Sequence, residues 1–577
     1  MLSLSETERI LKVTPLAIGI PTADQWPSRE KLGTLGIDTD GIAKGAGALL
    51  EQPLDVPRFS QYRHFADTGS RTEIDRAVLG FTSTISTLAL AELMTDDGRF
   101  LSELEDRIFA ACDLCSWVMA SHSGESGLPD ARWLASPGEA CPRGPDLHAC
   151  SFAAELGLID LILDDRLHPH LRDRIRYEVD RRVLAPVEKH SYHWHHGTNN
   201  WNGVCTGGVV TAALTLLSDA RRQARLIAQS AASFRTFLDV GFENDGACTE
   251  GIGYWGYGIS RFTFASELLR RRTGGAIDSL AHDKMPEIAA FPIRCEIADG
   301  LYPPFSDANP NQTPPAWTLA LLGRRFALPE LCEMSERYLK KRPARNLMPA
   351  CAMAFLVPNY SAPPTPACKR RPRSMLLPEA EWLLSRPDED DTDGLILAAK
   401  GGHNAEPHNH NDVGAFTVFL HSRMRLLDPG KPVYDRAYFS SKRYDNPLAD
   451  SCSHCVPVVN GCGQDAGRKA AATILENTFS EQQDRLTLDL TAAYPPQAGH
   501  ERLTRTFVYE RGDQPSVTVE DTIRFTNDGQ TWASRLVALE PFTVEETTVR
   551  VAGLQIDIET EHADLRIDRK HAAHLVA

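Results

Sequence analysis

No stretch of this 577-residue chain runs about 18 residues without a charge or a helix breaker, so no transmembrane helix is expected. Residues 1–13 hold neither a basic cluster nor an apolar core, and no secretory signal is read in the sequence as given. Positive charge is in short supply. Against 77 Asp and Glu stand 61 Lys and Arg, a formal net charge of −16, opposite in sign to a nucleic-acid binder. The 13 cysteines follow no disulfide rhythm, and Cys452-Ser453-His454-Cys455 has no second CxxC with which to build a zinc ribbon. They read as reduced core residues, which suits a cytoplasm; a bacterial cytoplasm or periplasm is the expected setting. A βαβ rhythm is absent, which argues against Rossmann and TIM architectures, and no repeated motif is found.

What is present divides near residue 350. Up to there apolar residues recur at helical spacing over 84–94, 101–119, 151–163, 171–183, 203–217, 221–240 and 257–271, separated by Gly, Pro, Asp and Ser clusters. Helices of similar length with short connections suggest pairs wound into a solenoid or toroid. Pro358, Pro363, Pro364 and Pro366, then Lys369-Arg370-Arg371, mark a connector. Beyond it the sequence favours strands over 394–399, 415–420, 485–490, 516–520 and 547–558, with 518–525 alternating apolar and polar like a half-solvated antiparallel strand. The expected fold is α+β and multidomain: a helical domain over 1–350, then antiparallel β-layers over 351–577, with a cleft between them for a long substrate.

Three segments concentrate polar groups. His193–Gly203 contains Thr198, Asn199, Asn200, Trp201 and Asn202 immediately before an apolar helix; the plain reading is helix capping with surface aromatics. Glu250–Gly258 sets Tyr254 and Tyr257 three apart, hence on one face of a helix, with Trp255 among four glycines. Such aromatics either contact sugar C–H faces or pack at the domain seam. The third, 403–412, holds His403, Glu406, His408, Asn409, His410, Asn411 and Asp412. If 408–412 is extended, His408 and His410 share a face. Neighbouring strands at 415–420 and 425–428 would return Asp428, and later His454, toward His410, and two imidazoles with one carboxylate suit Zn²⁺ or a similar divalent ion.

Together these segments resemble the heparinase II/III-like polysaccharide lyases. The resemblance runs from about residue 60 to 560 and rests on Asn199-Asn200-Trp201-Asn202, on Glu250-Gly251 with Tyr254 and Tyr257, and above all on Lys400–Asp412. Leu427-Asp428-Pro429-Gly430, Ser453-His454, Val459-Asn460-Gly461 and the weaker Arg71 segment continue it. The family implies an incomplete (α/α) toroid followed by an antiparallel β-sandwich-like domain. It also implies cleavage of uronate glycans, above all glycosaminoglycans (heparin and heparan sulfate, chondroitin sulfate, hyaluronan), with alginate as the alternative.

β-Elimination removes the proton at C5 of a uronate and expels the oxygen at C4. The uronate carboxylate must be hydrogen-bonded before the C5 proton becomes acidic enough, a base must take that proton, and an acid must protonate the leaving oxygen. By resemblance Asn200, or its neighbour Asn199, binds the carboxylate. Tyr254 is the acid, and also the base when both groups lie on one face; His408 is the base for the opposite epimer. The resemblance also implies a structural Zn²⁺ or Mn²⁺ at His410, Asp428 and His454, fixing the loop that carries His408. Trp201, Tyr257, His403, Arg443 and Arg71 are candidate substrate contacts. The expected partner is an acidic polysaccharide, with no nucleic acid and no membrane; oligomeric state stays open, a homodimer among the options. A glycoside hydrolase would need two carboxylates at the bond, for which Glu250 and Asp245 are available, but would leave the Asn, Tyr and His clusters unexplained. A glycan-binding protein without the chemistry would be expected to have lost Tyr254 or His408.

Overall fold

The computed structural model describes residues 3–13, 18–124, 128, 144–341, 348–359, 371–561 and 565–568. Its helical half is layered. Leu147–Leu163 and Asn200–Leu216 are buried on nearly every side, whereas Ala220–Val240 buries one stripe and leaves Arg221, Arg225 and Arg235 outside. A helix without a polar face must lie inside, so the first two form the inner wall and the third covers it. Among the described residues one helix, Thr72–Thr95, is long and apolar enough to cross a membrane by length and composition alone; 67% of its apolar window is buried inside the structure.

Helices 151–163, 203–217, 221–240 and 257–271 appear where expected, extended by a few residues: Leu147–Leu163, Asn200–Leu216, Ala220–Val240 and Ile252–Arg272. The expected helix over 101–119 stops at Asp113. Arg182, from the helical turn Asp180–Leu184, donates to the carbonyls of Cys112 and Leu114 at 3.0 and 2.7 Å, satisfying acceptors at that helix end.

After residue 371 the chain is β-rich. Ser374–Leu377, Trp382–Ser385, Ile396–Lys400, Phe416–Leu420 and Arg423–Leu426 form an antiparallel meander in chain order. One face of this sheet, with Leu384, Ala398 and Phe419, joins the helical core. The opposite face, with Leu383, Leu397 and Val418, packs with Leu486, Leu488, Leu503 and Phe507 of a second sheet, Thr473–Phe479, Gln483–Asp489, His500–Glu510 and Ser516–Phe525. A sheet covered on both faces explains why Ile396-Leu397-Ala398-Ala399 is uninterrupted apolar sequence. Ser516–Phe525 alternates exposed and half-buried positions throughout, as its sequence requires.

The expected strand over 547–558 is instead a hairpin, Thr548–Val551 with Leu554–Asp557. Ala552 and Gly553 at φ +52° and +88° make the two-residue left-handed turn that matches strand twist. Segment 405–415 is a loop rather than an extended strand; His408 sits at φ +62°. Eleven described cysteines are unpaired, most of them buried.

Candidate active site

A cavity of about 2040 Å³ opens between the helices and the β-layers, large enough for several sugar units. Its walls bring Asn200, Tyr254 and His408 together, along with Arg71, Asn199, Trp201, Tyr257 and Arg443.

The helical side is positioned by two helices that nearly touch. A Cβ at Gly203 would fall 2.9 Å from the Gly258 carbonyl, and one at Gly258 would fall 3.3 Å from the Asn200 Cα. Only glycine permits that approach, and it sets the first turn of Asn200–Leu216 against the first turns of Ile252–Arg272. Asn199 caps its helix, Oδ1 accepting from the Trp201 N–H at 3.2 Å, so the plain capping reading holds for its side chain. Asn200 donates its backbone N–H to Glu250 Oε1 at 3.0 Å, while its side-chain Oδ1 is buried with no partner among the described residues. Trp201 packs edge-on against His122 and tilted against His193.

Tyr254 stacks on the His408 ring, centroids 4.0 Å apart and planes 16° from parallel. Its hydroxyl lies 2.5 Å from that of Tyr434. Tyr434 in turn donates to Asp307 Oδ2 at 2.6 Å, so it accepts from Tyr254. Burial pushes the Tyr254 phenol well up, and the nearby Asp307 adds to this; the hydroxyl therefore keeps its proton at neutral pH.

Asp307 is the hub of the site. Its carboxylate receives His408 Nδ1 at 2.7 Å, His410 Nε2 at 3.0 Å, the Tyr438 hydroxyl at 2.5 Å and, more distantly, Arg443 at 3.4 Å. Burial alone would raise it, but bonds from the two histidines hold it far below the usual carboxylate range. An ionised Asp307 fixes the proton of His408 on Nδ1 and leaves the Nε2 lone pair free, 3.7 Å from Glu250 Oε2. Burial raises Glu250 to about 7, with His408 and the Asn200 N–H opposing.

His410, Asp428 and His454 also converge, fully buried, with one ligand atom of each within 4.8 Å of the others. His410 Nδ1 has no hydrogen-bond partner among the described residues, while Nε2 is held by Asp307. His454 Nδ1 lies 2.8 Å from Asp428 Oδ2 while Nε2 faces the Leu448 carbonyl at 3.1 Å.

Three residues singled out in the sequence have other partners. His403 does not line the cavity: its strand, His403–Asn404, pairs with Gly467–Ala471, and its Nδ1 accepts from the Ala405 N–H at 3.1 Å. Arg443 reaches the cavity, but its guanidinium is bound to the Asn409 carbonyl at 2.9 and 3.0 Å and packs over Tyr438, so it braces the His408 loop. Asp245 is turned to Ala247 and Glu379 and does not line the cavity, so the Glu250–Asp245 pair of a hydrolase is not assembled. Arg71 lines the cavity, held by Asp75 at 2.5 Å. Asp307, Tyr434 and Tyr438 lie in no dense polar motif of the sequence, and a tyrosine-rich stretch after Asp428 is the signal that marks the two tyrosines.

No protein-family model matches this sequence, and no curated protein matches it. Its structure is similar to heparinase III at TM-score 0.60 and 12% identity, over 84% of this chain and 69% of that one. A second heparinase III matches at 0.53 and 12%, over 94% and 83%. A Paenibacillus xanthan lyase matches at 0.50 and 11%, over 91% of this chain and 53% of that one. The chain thus shares the fold of the polysaccharide lyases heparinase III and xanthan lyase, a helical toroid followed by antiparallel β-layers.

Proposed function

We propose that this chain is a polysaccharide lyase that cleaves a uronate-containing glycan, foremost a glycosaminoglycan, by β-elimination. The observation that carries the reading is the convergence of Asn200, Tyr254 and His408 on one cavity, with Tyr254 stacked on His408.

The Asn200 amide, which makes no side-chain hydrogen bond among the described residues, is free to bind the substrate carboxylate without adding negative charge. Glu250, half-protonated near neutral pH and with Oε2 making no hydrogen bond among the described residues, can donate a second bond to it. His408 Nε2 takes the C5 proton of the epimer that presents it there. Tyr254 hands its proton to the leaving oxygen as the C4–O bond breaks and the C4=C5 bond forms. Where both groups lie on its own face, Tyr254 gives its proton to the leaving oxygen and the phenolate oxygen so formed takes the C5 proton, so that the hydroxyl ends as it began.

Five basic side chains line the cavity against four acidic ones, and burial neutralises one of the four, Glu155, by raising it to about 8. A chain of net charge −16 therefore carries a locally cationic cleft, as an acidic glycan requires.

A divalent ion, Zn²⁺ or Mn²⁺, at His410, Asp428 and His454 belongs to the same reading. Facing a carbonyl, Nε2 of His454 must carry the proton, so a neutral ring would set a lone pair against Asp428 at 2.8 Å. A cation between them resolves that contact, and the unpartnered His410 Nδ1 supplies the third donor. When bound, the metal supplies rigidity to the loop bearing His408.

The test is an absorbance time course at the wavelength of unsaturated uronates, on heparan sulfate, chondroitin sulfate, hyaluronan and alginate. A rise on any one establishes elimination and names the substrate; alginate alone would move the class to polyuronates. Reducing ends without absorbance mean hydrolysis, and binding with neither means a lectin-like protein.

A further inference from the structure

Among the described residues, one cation of the cavity, Arg261, makes no side-chain hydrogen bond, ion pair or ring contact. Arg71 is held by Asp75, Arg443 by Asp307 and the Asn409 carbonyl, and Arg436 by the carbonyls of Phe65 and Ala66. Lys431 lies on the exposed β-side loop, 4.3 Å over the Tyr434 ring. Arg261 is set into the helical wall, half-buried, and its guanidinium makes no hydrogen bond or ion pair among the described residues; its Nε is buried and unpartnered.

The acid nearest in effect does not compensate it. Glu155 is buried, accepts a bond from Ser86 Oγ, and is raised to about 8 by burial, with Arg261 opposing only in part. Near neutral pH it is largely uncharged. A half-buried guanidinium whose Nε is buried and unbonded, beside a neutral acid, is a costly arrangement unless an anion arrives from outside the protein.

The helix then says which anion. Tyr254, Tyr257, Arg261 and Phe264 share the cavity-facing side of Ile252–Arg272. Arg261 lies seven residues beyond Tyr254, about 10 Å along the axis, roughly the span of a disaccharide. Tyr257 and Ser151 line the wall near it and offer hydroxyls.

We propose that Arg261 is the specificity-determining residue of a second sugar subsite, binding the carboxylate or O-sulfate of the unit about one disaccharide from the bond attended by Tyr254. The proposal rests on the lyase reading for what Tyr254 does, and its own content is the anion site. In glycans that alternate uronate with hexosamine, the next uronate recurs at this interval, so the enzyme reads charge periodicity along the chain. Arg supports this because its planar fork takes a carboxylate or sulfate through two bonds at once.

The test compares wild type, Arg261→Gln and Arg261→Lys on hyaluronan tetrasaccharide, chondroitin sulfate tetrasaccharide and the desulfated chondroitin form. Binding is read by calorimetry, and KM and kcat by unsaturated product. Arg261→Gln should weaken binding and raise KM on the order of tenfold or more, with kcat nearly unchanged, while Arg261→Lys recovers part of the loss. Its melting temperature should stay at or above that of wild type, since the guanidinium holds nothing in the fold. Loss on all three substrates names the carboxylate, and loss on the sulfated one alone names the sulfate. Wild-type affinity in Arg261→Gln on every tetrasaccharide overturns the proposal, as does a wild type that binds none of them. Absence of unsaturated product from wild type would overturn the lyase reading instead, leaving Arg261-dependent binding to stand or fall by calorimetry.

Discussion

Asp307 Oδ2 lies 2.7 Å from His408 Nδ1, although 101 residues separate them and they belong to opposite sides of the domain seam. The backbone closes the same link, the Asp307 N–H donating to the His408 carbonyl at 3.2 Å. The left-handed φ of His408 is held in place by these contacts, a strained conformation of the kind that surrounding structure must over-determine.

Replacing Asp307 with Asn would turn one acceptor oxygen into a donor facing histidine and tyrosine hydrogens. Turnover should fall on the order of 10²–10⁴-fold, because the His408 proton is no longer fixed on Nδ1. A loss of less than threefold in steady-state rate would remove Asp307 from the catalytic apparatus.

Tyr254→Phe deletes one hydroxyl and keeps the stack on His408. The variant should lose elimination by at least about 10²-fold while binding oligosaccharide nearly as wild type does. Absorbance assays and calorimetry on the same preparation check this, and near-normal turnover would mean that another group is the acid.

Glu250 makes a prediction about pH and stability. Its carboxyl releases a proton near 4.5 in the unfolded chain but only near 7 when folded. Folding therefore holds a proton in that window, and the stability present below pH 4.5 is lost as pH rises through 7, by on the order of 3 kcal/mol. Glu250→Gln does not titrate. Its melting temperature relative to wild type should climb between pH 5 and pH 8, and a pH-independent difference would mean that the carboxyl is ionised throughout.

Chelation should lower the melting temperature by several degrees and release one divalent ion per chain, with recovery on adding Zn²⁺ or Mn²⁺. His410→Ala should abolish both the bound metal and the chelator effect. Stoichiometric metal in that variant, by elemental analysis, would place the ion elsewhere.

Much of this protein was determined locally and could be read as such. Helices such as Ala220–Val240 follow from apolar spacing, because one face must be buried whatever it meets. The cluster from His403 to Asp412 stands out because so many hydrogen-bonding groups in ten residues need partners that an apolar core does not offer. Asn199 and Asn200 announce a helix start because the first amides need a cap. Tertiary structure decided what those residues face. Asp307 is a single carboxylate in an irregular loop, and only the seam gathers the donors that make it a hub. His403 belongs to the dense cluster, yet its strand pairing carries it away from the cavity. Glu250 and Glu155 hold protons near neutral pH, and Arg261 lacks an acceptor among the described residues, because desolvation and partner choice depend on contacts between distant segments, which linear spacing does not encode.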